Sequence, residues 1–116
     1  MNKAERLKLV TDAGIFAIMR VKKVPAGQVG ASEQLVAAAE AIWRGGVRAI
    51  EVTVTTPGAL EVIAAASARL GGDVLFGAGT VLDAETAQAA IQAGAGLIVS
   101  PTLDVEVIRL CNRHDV

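Results

Sequence analysis

The stretch GGVRAIEVTVTTP, residues 45–57, decides the fold. Its two glycines end whatever helix precedes them. Residues Ala49-Ile50-Glu51-Val52-Thr53-Val54 then read as a strand rich in β-branched side chains. Side chains alternate across a strand, so Ile50, Val52 and Val54 share one face, which suits contact with helices, while Glu51, Thr53 and Thr55 share the other. Thr56-Pro57 reads as a helix start, with Thr56 as cap and Pro57 in the first turn. A strand framed by helices on both sides is the repeating unit of a parallel sheet.

The same unit recurs in both directions. Upstream, the apolar run Ile15 to Met19, closed by Arg20, reads as a strand buried on both faces. Val21 to Gly30 is a charged loop, and Lys22-Lys23 within it reads as a solvated pair. Ser32 is the expected N-cap of a helix to about Arg44, with Leu35, Val36, Ala39, Ile42 and Trp43 at helical spacing. Met1 to Ala13 reads as a short amphipathic helix, with Ala4, Leu7 and Val10 to one side, ended by Gly14.

Downstream, Leu60, Ile63, Ala64, Ser67 and Leu70 form the expected inner stripe of a helix stopped by Gly71-Gly72. A third strand follows over Val74 to Ala78. Asp83 then caps a helix bearing Ala87, Ala90 and Ile91, closed by Gly94. Leu97 to Ser100 is the fourth strand, and Leu103, Val107, Leu110 and Cys111 mark the last helix.

Four such alternations require parallel strands and right-handed crossovers. An open doubly wound sheet and part of a closed barrel both satisfy that. Arg20, Glu51, Thr53, Thr55, Thr80 and Ser100 fall within strands or just after them, where α/β barrels assemble their chemistry, and this favours the barrel. The expected fold class is therefore α/β, of the (β/α) TIM-barrel type. Four βα units, half of a (β/α)8 barrel, follow a short helix, with residues 1–116 as a single domain. The chain ends where a fifth strand is expected, and a full barrel takes about 200 residues or more, so a longer gene product is the favoured explanation.

Composition agrees with this reading. Apolar residues make up 53% of the 116 and aromatics 3%, which suits close packing of helices on strands. Eleven Lys and Arg against twelve Asp and Glu give a net charge of −1, and no electrostatic reason to expect nucleic acid or an anionic membrane as partner. The start of the chain is too charged for a signal peptide, and no uncharged stretch approaches the roughly 20 residues of a membrane span, so a cytoplasmic protein is expected. The single cysteine, Cys111, has no partner for an internal disulfide and no metal-ligand cluster around it. It reads as a small apolar residue.

Among the polar residues Glu51 stands out. An ionised carboxylate is costly to bury within an apolar strand unless something pairs it or uses it. Gly77-Ala78-Gly79-Thr80 resembles the start of a dinucleotide fingerprint, but Leu82 replaces its third glycine and it follows the third strand, not the first. It reads better as a place where a substrate approaches the backbone at Gly79, with the Thr80 hydroxyl and nearby N–H groups available to a carboxylate, or simply as a tight turn. Ser100-Pro101 reads as a strand terminator, and His114 as a surface residue.

The segments 45–53, Gly77 to Val81 and Ile98 to Pro101, in this order and with Ala17 to Arg20 before them, resemble the 2-keto-3-deoxy-6-phosphogluconate (KDPG) aldolases, also active on 4-hydroxy-2-oxoglutarate. The resemblance implies a homotrimeric class I aldolase with a (β/α)8 barrel, a small-molecule 2-keto acid substrate, pyruvate as product, and no metal or other cofactor. It implies that Glu51 moves protons to and from the substrate and that Thr80 helps hold the pyruvate carboxylate. Many members place an arginine four residues after the glutamate, where this sequence has Thr55. Arg20 matches another arginine of the family and supplies positive charge there. The family's imine-forming lysine lies on the sixth strand and its phosphate loops follow strands seven and eight. None of Lys3, Lys8, Lys22 or Lys23 lies in an expected strand, so none is assigned as nucleophile. Two other functions stay open: a non-catalytic half-barrel that assembles through its sheet edges, and a different phosphate-handling barrel such as an epimerase.

Overall fold

A computed structural model describes residues 1–22 and 31–116. The elements in chain order are α1 (Lys3–Ala13), β1 (Ala17–Met19), α2 (Ala31–Arg44), β2 (Ala49–Thr53), α3 (Ala59–Leu70), β3 (Leu75–Gly79), α4 (Ala84–Gln92), β4 (Leu97–Ile98) and α5 (Val105–Arg113). Residues 23–30 of the expected loop, including Lys23, lie outside the described residues.

All strand pairs are parallel, and the sheet order is β1-β2-β3-β4. Each strand is thus laid beside its predecessor in one direction. That is the winding of a barrel wall, since a doubly wound sheet reverses its order at a switch point. In register, Ile18 pairs with Glu51, Glu51 with Gly77 and Gly77 with Leu97. These positions share one face of the sheet, and Ile50, Val52, Phe76 and Ala78 share the other.

The helix-side face carries the core. Ile50, Val52, Phe76 and Ala78 pack into one cluster with Val36, Ala39, Val62, Ile63, Ala66, Ala87, Ala90, Val107 and Leu110. Ala39, Ala66, Ala87 and Ala90 are fully buried. Small side chains at these contacts let the helices lie close on the strands, which explains a dense core with few aromatics. The opposite face is open at its β1 and β4 edges, where Phe16, Ile18 and Val99 are 39%, 62% and 37% exposed.

Helix ends mostly follow local chemistry. Asn2 and Glu5 form a capping box at α1, and Gly14 closes it in a left-handed conformation. Asp83 accepts from Thr86 N at 2.7 Å, as expected for a cap.

Several expectations need correction. Thr56 does not cap α3. Its hydroxyl instead accepts Val21 N–H at 3.1 Å and lies 3.2 Å from Thr53 Oγ1, so the chain turns again before Gly58, at φ 71°, opens the helix. Ser32 is inside α2, which begins at Ala31. The buried stripe of α3 is Ala59, Val62, Ile63 and Ala66, leaving Ala64 exposed. Alanine on every side of that helix left its inward face ambiguous. No residue of α1 is buried; its polar groups instead reach the far end of the chain, with Lys3 N donating to Asp115 Oδ2 at 3.0 Å and Arg6 Nη1 to Asp115 O at 2.6 Å. Leu103 precedes α5 and is 85% exposed, because Asp104 caps that helix by accepting from Glu106 N and Val107 N.

Candidate active site

The open face of the sheet gathers the candidate residues at the C-terminal ends of β1, β2 and β3. Glu51 sits in the middle of β2 with 7% of its surface exposed. Its neighbours in register are Ile18 and Gly77, neither of which offers a polar side chain. The carboxyl leans along the strand direction and lies over the backbone of Gly79. A Cβ added there would overlap Oε1 and Cδ of Glu51 and stand 2.8 Å from its Cγ. Gly77 faces a different neighbour, since its Cβ would stand 3.1 Å from the Leu97 carbonyl oxygen.

Burial raises the Glu51 pKa above its ordinary value of 4.5, and the Arg20 guanidinium pulls it part of the way back. Arg20 follows β1, exposed, and its Nη2 donates to Thr80 Oγ1 at 3.4 Å. Arg20 therefore contacts the hydroxyl beyond β3, and its charge is felt at the carboxyl of β2 without a direct ion pair. Three of the residues singled out from the sequence, Glu51, Arg20 and Thr80, come together in this way.

Thr80 has φ 61°. That left-handed conformation is unfavourable for a β-branched residue, and such strain costs on the order of 1–3 kcal/mol where it persists. Glycine would fit the backbone more cheaply, so the hydroxyl is held there against local preference.

Thr55 joins a different group. Its hydroxyl is 3.2 Å from that of Thr53, which in turn meets Thr56. This cluster ties the end of β2 to Val21, just beyond β1. Thr56, a helix cap by residue type, belongs to this network instead. The three threonines at 53, 55 and 56 were the available signal.

The remaining polar residues keep to themselves. Ser100 Oγ accepts Thr102 N–H at 3.2 Å in a local turn. His114 is exposed and its Nε2 lies 3.1 Å from Gln88 Oε1. Cys111 is half-buried, and burial pushes its thiol up, away from the reactive thiolate. Lys3 and Lys8 lie on α1, Lys8 paired with Asp12 at 2.7 Å, and Lys22 follows β1. Among the described residues no His, Cys, Asp and Glu form a group that could hold a metal, and no helix is long and apolar enough to cross a membrane.

Comparisons with known proteins agree with the fold and give its family. The family profile described as KDPG and KHG aldolase matches residues 12–116. A 2-dehydro-3-deoxy-phosphogluconate aldolase of Treponema pallidum is 43% identical over 100 residues, covering 86% of this chain and 47% of its own length. The chain thus spans about half the length of the curated relatives it matches. Among solved structures, the KDPG aldolase of Zymomonas mobilis ZM4 with 3-phosphoglycerate superposes with TM-score 0.75 at 28% identity, over 94% of this chain and 47% of that one. The KDPG aldolase of Legionella pneumophila, with pyruvate captured as a covalent carbinolamine, gives TM-score 0.69 at 26% identity, over 84% and 43%. Four parallel βα units in barrel order, three of the expected residues converging at the strand ends, and a profile matching nearly the whole sequence place this chain in the KDPG and KHG aldolase family.

Proposed function

We propose that this chain is the amino-terminal half of a class I aldolase. The enzyme cleaves KDPG to pyruvate and glyceraldehyde 3-phosphate, or 4-hydroxy-2-oxoglutarate to pyruvate and glyoxylate. The observation that carries the reading is the convergence of Glu51, Arg20 and Thr80 where β1, β2 and β3 end on the open face of the sheet.

The chemistry divides between two halves. A lysine beyond residue 116 attacks the 2-keto carbon, and loss of water gives an imine that withdraws electrons from the adjacent carbons. The substrate's 4-hydroxyl gives up its proton, the C3–C4 bond breaks, and its electron pair passes to the imine as an enamine. Glu51 carries protons to and from the substrate, in part through water. A carboxyl whose pKa is raised by burial suits that work, because it gives and takes a proton nearer neutral pH. Arg20 and Thr80 bind the carboxylate of the pyruvate unit by charge and by the hydroxyl hydrogen bond. The covalent carbinolamine captured in the Legionella relative supports imine chemistry. By the same resemblance the whole protein assembles as a homotrimer.

The test is pyruvate release by a complete barrel containing this chain, offered KDPG, 4-hydroxy-2-oxoglutarate and a pentose phosphate. Release from at least one of the two keto acids is expected. Turnover of the pentose phosphate alone would replace the aldolase reading with an epimerase-type one. The exposed Phe16 and Ile18 favour a second reading, a non-catalytic module that assembles through its sheet. Against it stands a carboxyl buried on that same face, which an assembly surface has no reason to keep.

A further inference from the structure

We propose that Gly79 is a positioning residue that seats the Glu51 carboxyl, so that the second glycine of Gly77-Ala78-Gly79-Thr80 serves the acid–base residue directly. The proposal rests on the role given to Glu51 above, but its geometry stands apart from that role. Gly79 is buried at the end of β3, in register with Thr53, two residues beyond Glu51 on β2. A Cβ at this position would coincide with the Glu51 carboxyl. The backbone is no obstacle to a side chain, because Gly79 is not among the positive-φ glycines. What excludes a methyl group is the carboxyl itself.

The consequence is directional. Seated over Gly79, the carboxyl is partly withdrawn from water and kept within the field of Arg20, which contacts Thr80. An alanine at 79 must push the end of the Glu51 side chain outward along the open face. The strand and its neighbours need not move, because the carboxyl is the far end of a flexible side chain. This differs from Gly77, whose added Cβ would press on the Leu97 backbone and side chain.

The experiment is a carbon-13 titration of the Glu51 side-chain carboxyl in the full chain, assigned with Glu51→Gln, in the wild type and in Gly79→Ala. Gly72→Ala is the control, because nothing lies within 4 Å of a Cβ there. In Gly79→Ala the Glu51 midpoint should fall toward the ordinary carboxylate value, since burial is the larger cause of its rise. In Gly72→Ala it should stay in place. An unchanged midpoint in a folded Gly79→Ala chain overturns the proposal. If Gly79→Ala does not fold, Glu51→Ala/Gly79→Ala decides. Recovery of the fold on removing the carboxyl supports the seat, and failure of the double variant overturns it.

In a complete barrel, Gly79→Ala should lower kcat on the order of 100-fold and move the pH profile, with little change in KM. Should Glu51→Gln leave turnover untouched while the titration result holds, the acid–base reading fails and the seat remains.

Discussion

Glu51→Gln in a complete barrel containing this chain should lower turnover by about 10²- to 10⁴-fold and leave the fold intact. Glutamine keeps the shape of the side chain over Gly79 and removes the titratable proton. If Glu51 moves protons in the transition state, kcat and kcat/KM should fall together. A parallel rise in KM alone would assign it to binding instead.

The same variant carries an opposite stability prediction. Burial raises the folded-state pKa of Glu51 above its ordinary value of 4.5. Between those two values the folded chain binds more protons than the unfolded one, so stability falls as pH rises through that window. Below the window the carboxyl is neutral in both states and costs nothing. Above it, the folded chain holds a carboxylate that would be better solvated unfolded. Glu51→Gln should therefore flatten this part of the pH dependence and be at least as stable as the wild type at neutral pH. Denaturation of both chains on either side of the window measures it. A residue that lowers stability when ionised and is required for turnover is the pattern expected of an acid–base group.

Phe76→Ala should produce the largest loss of stability of any single truncation considered. Phe76 is 2% exposed on the helix side of β3, beside Ile50 in register, within the cluster that joins the sheet to α2, α3, α4 and α5. Removing a buried phenyl ring forfeits its transfer energy and leaves a cavity, together about 3–5 kcal/mol. Domains of ordinary size are stable by only about 5–15 kcal/mol. Much of the chain's stability therefore rests on this side chain, the more so because among the described residues β1 and β4 each pair on one side only. A urea midpoint that drops steeply, or a chain already unfolded without urea, is the expected result. A midpoint within a few tenths molar of the wild type would show that the cluster is not the cooperative core.

The fold was largely legible because its signals are redundant. β1, β3 and β4 are short apolar runs, β2 alternates apolar and polar residues after Ala49, and glycines mark the ends of α1, α2 and α3. The two faces of β2 separate cleanly, with Ile50 and Val52 to the helices and Glu51 to the open side. Boundaries were less legible where a side chain had two possible partners. Thr56 is a sound helix cap by type, yet Val21 and Thr53 claim its hydroxyl. The inward face of α3 was hidden by alanines, which give no contrast between buried and exposed positions.

The candidate site was legible as a list and less so as a geometry. A glutamate inside an apolar strand and a hydroxyl after Gly79 can be seen in one dimension. That Arg20 contacts Thr80 while its charge acts on Glu51 depends on β1 lying beside β2, and on Thr80 adopting a conformation its own chemistry disfavours. The contact between Glu51 and Gly79 joins residues on neighbouring strands, and no local pattern announces it.

Borohydride reduction in the presence of pyruvate, followed by intact mass and peptide mapping, tests the central claim most directly. This chain should contribute the acid–base and carboxylate-binding residues, and the imine should form elsewhere. In a complete barrel, one pyruvate adduct is expected on a lysine beyond residue 116, with Lys3, Lys8, Lys22 and Lys23 unmodified. An adduct on any of those four, or a folded complete barrel that traps none, would contradict the account.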